Sequence, residues 1–262
     1  MGEQLHHDER GHGRPLVFLH PGGFGRQVWD EQLDRFAASH RVVRYDARGH
    51  GDSPGPVPGF SHFDDLRQLL DALGIERAVL VGSSLGSRTA ADFALVHPDR
   101  VDGLVLASPG LSGMVERDPF TLDQRRQAGE AIAAGDHPRA FECVLRMLVD
   151  GPHRTPGQVD PAVRVLFGRL LADNARKGHG GFPLGDELTA VTRVAEIRAR
   201  TLVITGTLDT ADIHGIADLI AREAPHARQV AVEGAGHQVN VEQPARFGEL
   251  LDEFLAQGVS SE

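Results

Sequence analysis

The strongest constraint on how this chain can fold is an alternation repeated along it, in which short apolar runs are separated by longer stretches of helical period. The runs at 15–19, 41–45, 78–81, 101–107, 201–205 and 229–232 are strand-length and rich in Val, Leu and Ile. They show little polar alternation, as expected of strands covered on both faces in a parallel sheet. Helical patterns fill the intervals at 28–38, 63–73, 85–96, 213–223 and 244–256, several opened by Ser, Asp or Asn and closed near Gly or Pro. Strand then helix, repeatedly, predicts an α/β fold with a mostly parallel, doubly wound sheet. A chain of 262 residues suits one such unit with an elaboration better than two independent domains.

The alternation stops after Ser108-Pro109-Gly110 and resumes near Ile197. The residues between show helical segments and Gly/Pro punctuation but no convincing strand. This predicts a helical cap at 111–190 inserted into a core built from 1–110 and 191–262. The insertion carries 10 basic and 11 acidic residues, so most of the negative charge belongs to the core. Of its apolar residues, Met114, Phe141 and Met147 are candidates to line a substrate pocket, together with Gly23 and Phe24 of the core. Leu111, Phe120, Phe167 and Phe182 belong to the same apolar set. For any single one of them, holding the insertion together is the commoner role.

The formal net charge of −10 repels polyanions on average, which disfavours nucleic acid as a partner. Of the 27 basic residues only Lys177 is a lysine, so the arginines read as the codon bias of a high-GC genome and need no partner. The lone Cys143 cannot form an intrachain disulfide, which suits a reducing compartment. The polar start lacks the apolar core of a signal peptide, and no run approaches bilayer-spanning length. A cytoplasmic protein with a small-molecule substrate, no membrane partner and an oligomeric state open between monomer and homodimer is expected. His6, His7 and His12 lie on a polar segment without rigid ligand geometry, so no metal site is expected. No Walker motif or dinucleotide fingerprint is present, and no cofactor is expected.

The sharpest chemical signal is Gly82-Ser83-Ser84-Leu85-Gly86, a G-x-S-x-G string joining an apolar strand to a helix. Glycines two residues either side of Ser84 remove side chains that would collide with neighbouring backbone in a tight bend. The Ser84 hydroxyl then stands above the sheet at a helix start, where free N–H groups favour an oxyanion. Ser83 lacks those flanking glycines and is given a packing role. A serine hydroxyl needs a base within reach and a group to orient that base. Asp209 follows the apolar run at 201–205, and His237 ends Glu233-Gly234-Ala235-Gly236-His237 after the next one. Both therefore sit at the carboxyl edge of the sheet, where open α/β sheets bind ligands. Asp212 is the competing acid, with helix capping as its expected role. For the oxyanion, His20-Pro21-Gly22-Gly23 supplies one N–H, from Gly22 or Gly23, and Leu85 the other.

These segments, with Tyr45-Asp46-Ala47-Arg48-Gly49-His50-Gly51-Asp52-Ser53, resemble the α/β-hydrolase superfamily in its capped esterase, lactonase and C–C hydrolase branch. The resemblance covers nearly all of the chain outside the insertion. It implies the α/β-hydrolase fold, the order Ser84, Asp209, His237 for nucleophile, orienting acid and base, and a structural role for the 46–53 turn, so that His50 is not the base. It also implies hydrolysis of a small to medium carboxylic ester or lactone through an acyl-enzyme. A C–C bond hydrolase or biosynthetic thioesterase/cyclase with the same residues, a perhydrolase-like side activity, and a non-catalytic ligand-binding homologue are the alternatives. Relatives place a second glycine after the position of Gly86, whereas this chain has Ser87 and then Arg88. That departure bears on packing at the helix start, and Arg88 is expected to pair with an acid at the edge of the insertion or to approach a substrate carboxylate.

Overall fold

The computed structural model describes residues 4–257. Residues 1–3 and 258–262 of the expected core lie outside the described residues. Seven strands form one sheet: β1 (His7–Arg10), β2 (Pro15–Leu19), β3 (Arg41–Tyr45), β4 (Ala78–Ser83), β5 (Val101–Ala107), β6 (Thr201–Gly206) and β7 (Ala227–Val232). Their spatial order is β1-β3-β2-β4-β5-β6-β7. All neighbours run parallel except β1, which pairs antiparallel with β3. The apolar runs thus become the parallel strands. β1 was not expected from its sequence, His-Asp-Glu-Arg. It is an edge strand whose charged side chains pair with arginines on the body of the protein, Asp8 with Arg26 and Arg44, and Glu9 with Arg41.

The core helices are α1 (Asp30–Phe36), α2 (His62–Ala72), α3 (Leu85–Val96), α7 (Ala211–Glu223), the short α8 (Val239–Glu242) and α9 (Pro244–Gln257). Alternate residues of each strand feed opposite faces. Val17 and Leu19 join a cluster with Leu66, Ala90 and Ile216 of α2, α3 and α7, whereas Leu16 and Phe18 join Leu33 of α1 and Phe247 and Phe254 of α9. The sole tryptophan, Trp29, is buried in the second cluster, its ring 5.0 Å from Phe18 and 5.8 Å from Phe247.

Between β5 and β6 the chain forms α4 (Pro119–Ala133), α5 (His137–Leu145) and α6 (Pro161–Arg176). Each starts alike, with an aspartate cap, Asp118, Asp136 or Asp160, followed within two residues by proline. The carboxylate accepts an otherwise unpaired N–H, and proline loses no bond where no intrahelical partner exists. α5 runs into a π-helical turn, Arg146–Asp150, ended by Gly151 at φ +75°. At the far end of α6, Lys177 pairs with Asp52 of the core (2.6 Å) and with Asp173 (3.0 Å). A single isolated bridge, Ser61 with Gly185, is the only strand-like contact of this segment among the described residues. No helix among the described residues is long and apolar enough to cross a membrane.

Candidate active site

The turn from β4 into α3 carries Ser84 at φ 52°, ψ −109°, a backbone conformation costly for a residue with a side chain. Steric necessity holds it there. A Cβ at Gly82 would lie 2.3 Å from the carbonyl of Gly86, and one at Gly86 would lie 2.1 Å from the carbonyl of Leu19. The Ser84 N–H donates to Ala107 on β5 (3.0 Å). Ser84 occupies the N-cap position of α3, yet its hydroxyl makes no capping bond, so Oγ is not committed to the helix. Ser87, at the position where the resemblance leads us to expect a glycine, is fully buried. Its Oγ lies 2.8 Å from Gly82 O and 3.1 Å from Ala107 O, so the hydroxyl reinforces the elbow. Ser83 is buried within the core.

Asp209 and His237 meet at the same edge. His237 Nδ1 lies 2.9 Å and 3.1 Å from the two Asp209 carboxylate oxygens, and Asp209 also accepts from the Thr210 N–H (2.8 Å). Burial acts to raise the Asp209 carboxyl pKa, but the charge of His237 and the bonds to it and Thr210 outweigh that and leave it below the usual carboxylate range. For His237, burial acts downward, while Asp209 and then Glu242 pull the imidazole above its ordinary value. Asp212 makes no bond to the histidine. Thr210, not Asp212, caps α7, and Asp212 instead accepts the N–H groups of Arg117 and Asp118 at 2.7 and 2.8 Å.

Ser84, Asp209 and His237 line one cavity of about 160 Å³, together with Gly22 and Leu85. No direct hydrogen bond joins Ser84 to His237 in this conformation. The two histidines near Gly22 explain how its loop is held. His20 Nδ1 bonds Pro21 O (2.8 Å) and its Nε2 accepts from Ala47 N–H (2.8 Å). His50 Nδ1 bonds Arg48 O (3.2 Å) and its Nε2 accepts from Gly23 N–H (3.0 Å). Each ring must therefore be neutral, with its proton on Nδ1. Burial holds both pKa values below the ordinary imidazole range, His50 well below. The Gly23 N–H is thus taken, and of the two glycines only Gly22 lines the cavity. From the insertion, Asn174 donates to Gly23 O (2.9 Å) and Phe24 O (2.8 Å) and accepts from Gly51 N–H (2.8 Å).

The apolar candidates divide. Met114 and Met147 line the cavity, as does Phe182, whose ring lies against Gly22 and Gly23. Gly23, Phe24 and Phe141 do not line it. Phe24 is fully buried, its ring 4.6 Å from that of Phe167 in an edge-on contact, because the bonds from Asn174 draw its backbone under the insertion. Arg88 also lines the cavity and pairs with Glu187 of the insertion. Leu148, Leu184 and the pair Arg125 and Glu116 complete much of the wall. No sequence pattern marked them, because they come from a segment with no periodic relation to the sheet. No group of three or more His, Cys, Asp or Glu able to hold a metal ion occurs among the described residues.

The sequence model of the alpha/beta hydrolase fold matches residues 15–244. A 2-hydroxy-6-oxononadienedioate/2-hydroxy-6-oxononatrienedioate hydrolase of Paraburkholderia phymatum is 30% identical, over 97% of this chain and 91% of its own. A 2-hydroxy-6-oxo-6-phenylhexa-2,4-dienoate hydrolase of Comamonas testosteroni is 27% identical, over 97% and 91%. Among solved structures, Est816, described as an N-acyl homoserine lactone degrading enzyme, is 28% identical with a TM-score of 0.75, over 95% of this chain and 96% of that one.

Proposed function

The chain belongs to the α/β-hydrolase fold family, and on that premise we propose that it is a serine hydrolase acting on small carboxylic esters or lactones through an acyl-enzyme. The observation that carries this reading is the strained Ser84 elbow opening into the same cavity as the bonded Asp209 and His237 pair. His237, with its Nδ1 proton fixed by Asp209, presents Nε2 as the base that takes the Ser84 proton. Ser84 Oγ then attacks the carbonyl, and the Gly22 and Leu85 N–H groups receive the oxyanion. The alcohol leaves with the proton from His237. Water, deprotonated by the same histidine, releases the acid and regenerates Ser84.

The cavity favours a neutral and compact substrate. Its volume of about 160 Å³ is close to the roughly 150 Å³ that holds a benzene ring in a protein interior. Each arginine in its wall is matched by a carboxylate, Arg88 by Glu187 and Arg125 by Glu116. The lactone-degrading description of Est816 agrees with this reading. A C–C bond hydrolase acting on an acidic substrate is the second reading. It is favoured by the names of two relatives and by Arg88 Nε, which is buried without a partner among the described residues. A panel of p-nitrophenyl esters and acyl lactones, set against dienoate substrates, decides between the two readings. Turnover of the esters that vanishes in Ser84→Ala supports the proposal, and equal rates in the mutant exclude Ser84 as the nucleophile.

A further inference from the structure

His237 sits on the loop between β7 and α8, and the bonds that shape this loop come from Glu242. The N–H groups on either side of the histidine, Gly236 and Gln238, both donate to the Glu242 carboxylate (3.1 and 3.3 Å). Glu242 is in turn gripped by Arg154 of the insertion, through Nη1 to one oxygen and through Nη2 to the other at 3.3 Å. Arg154 is fixed from behind, its Nε donating to Asp150 O (3.0 Å) and its Nη2 to Val149 O (2.9 Å), both in the π-helical turn. The two side chains are only 8% and 7% exposed, so solvent screens the pair little. Gly236 makes room for it, since a Cβ there would lie 2.0 Å from Arg154 Nη2. A further tie runs from Gln238 Nε2 to Leu148 O (2.7 Å). Leu148 and its neighbour Met147 line the substrate cavity.

We infer that Glu242 and Arg154 are positioning residues for His237, coupling the orientation of the base to the seating of the insertion that walls the substrate. This rests on the reading of His237 as the base. Only a carboxylate offers two acceptors to the two N–H groups while still receiving a guanidinium, and only the planar arginine fork reaches Glu242 and two backbone carbonyls together. The charged groups that act on His237 are Asp209 from the loop after β6 and Glu242 from α8, with Arg154 behind it, while Asp212 of α7, Arg88 of α3 and the insertion's Glu116 and Arg125 line the same cavity. The negative charge of Glu242 favours the imidazolium, so its loss has an electrostatic effect separable from its geometric one.

The test compares wild type with Glu242→Gln and Arg154→Lys. Labelling of Ser84 by a fluorophosphonate comes first, because its failure would remove the serine hydrolase reading itself. In enzyme that labels, Glu242→Gln is expected to lower kcat about 100-fold with KM little changed. The acidic limb of its kcat/KM profile moves to lower pH, because the Glu242 charge that favours the imidazolium is gone. Arg154→Lys, which keeps the charge and loses the fork, is expected to lower kcat about tenfold with the limb unmoved. Wild-type kcat and limb in both variants overturn the inference while leaving the nucleophile assignment intact. A lower kcat in Glu242→Gln with an unmoved limb marks a merely structural residue and overturns it too. If either variant fails to fold, Gly236→Ala displaces Arg154 without removing a charge, and an unchanged kcat there also overturns the inference.

Discussion

The floor and the roof of the cavity are built on different terms. On the floor, Ser84, Leu85, Gly22, Asp209 and His237 stand at strand ends whose positions are set by main-chain bonds, such as Ser84 N–H to Ala107 O and Leu208 N–H to Ala235 O (2.9 Å). Close backbone approaches add to this, as where Gly82 and Gly86 leave no space for a methyl group. The roof reaches the cavity with side chains, among them Met147, Phe182, Leu184 and the pair Arg125 and Glu116, the last two 49% and 36% exposed. On the proposed reading, the geometry the reaction demands rests mostly on backbone, with Glu242 and Arg154 as the exception, and the geometry that selects a substrate rests on side chains that can change without refolding the sheet.

The sharpest way to break that division is to remove chemistry from the floor. Ser84→Ala is expected to lower ester turnover by about 10⁶-fold in kcat, and Asp209→Asn by about 10⁴-fold, with both proteins still folded by circular dichroism. In Asp209→Asn the acidic limb of kcat/KM moves to lower pH, because the carboxylate that holds the His237 imidazole above its ordinary value is gone. At the junction, Asn174→Leu strands the Gly23 and Phe24 carbonyls and the Gly51 N–H. It is expected to cost about 2–4 kcal/mol in urea unfolding and to reduce kcat about tenfold through the loosened Gly22 loop. On the roof, Leu184→Ala and Arg125→Gln should change KM for different esters by less than about tenfold and leave stability within about 0.5 kcal/mol. A roof substitution as costly to kcat as Asp209→Asn would erase the distinction.

The smallest effect expected is one of pH on stability, and it sharpens the comparison because it arises on the floor. His20 and His50 are neutral in the fold, each held below its ordinary value first by burial. The unfolded chain takes up protons at these residues near pH 6.5 while the folded chain does not, so stability falls as pH drops below about 6.5. Thermal unfolding followed between pH 7.5 and 5.5, about one unit either side of that value, should show the melting temperature declining on the acid side. Replacement of His50 by Gln, which keeps an acceptor for Gly23 N–H, should flatten the decline.

The floor was legible in the sequence because each part of it has a local signature. Strands buried on both faces read as unbroken apolar runs, and the loops that follow them carry Ser84, Asp209 and His237 by position alone. β1 escaped because an edge strand needs no apolar pattern, and α8 because four residues give no period. The sequence offers Asp212 for a cap that Thr210 makes, since either residue type can serve and only the path of the chain at 117–118 chooses between them. Asn174 and Arg154 had no signal at all. Asn174 acts on Gly23, 151 positions away, and Arg154 on Glu242, 88 positions away, so their roles exist only once the insertion is folded over the sheet.

The chain's unusual economy in lysine has a practical outcome. Its sole ε-amine, on Lys177, is held on the insertion by Asp52 of the core, through a partly exposed bridge worth roughly 0–1 kcal/mol. Its sole indole, Trp29, is buried beneath the sheet. A dye coupled to that amine would pair with the indole as an energy-transfer ruler between the two parts of the molecule. Native protein, with no residue exchanged, thus carries both ends of a ruler that reads the distance between the insertion and the sheet.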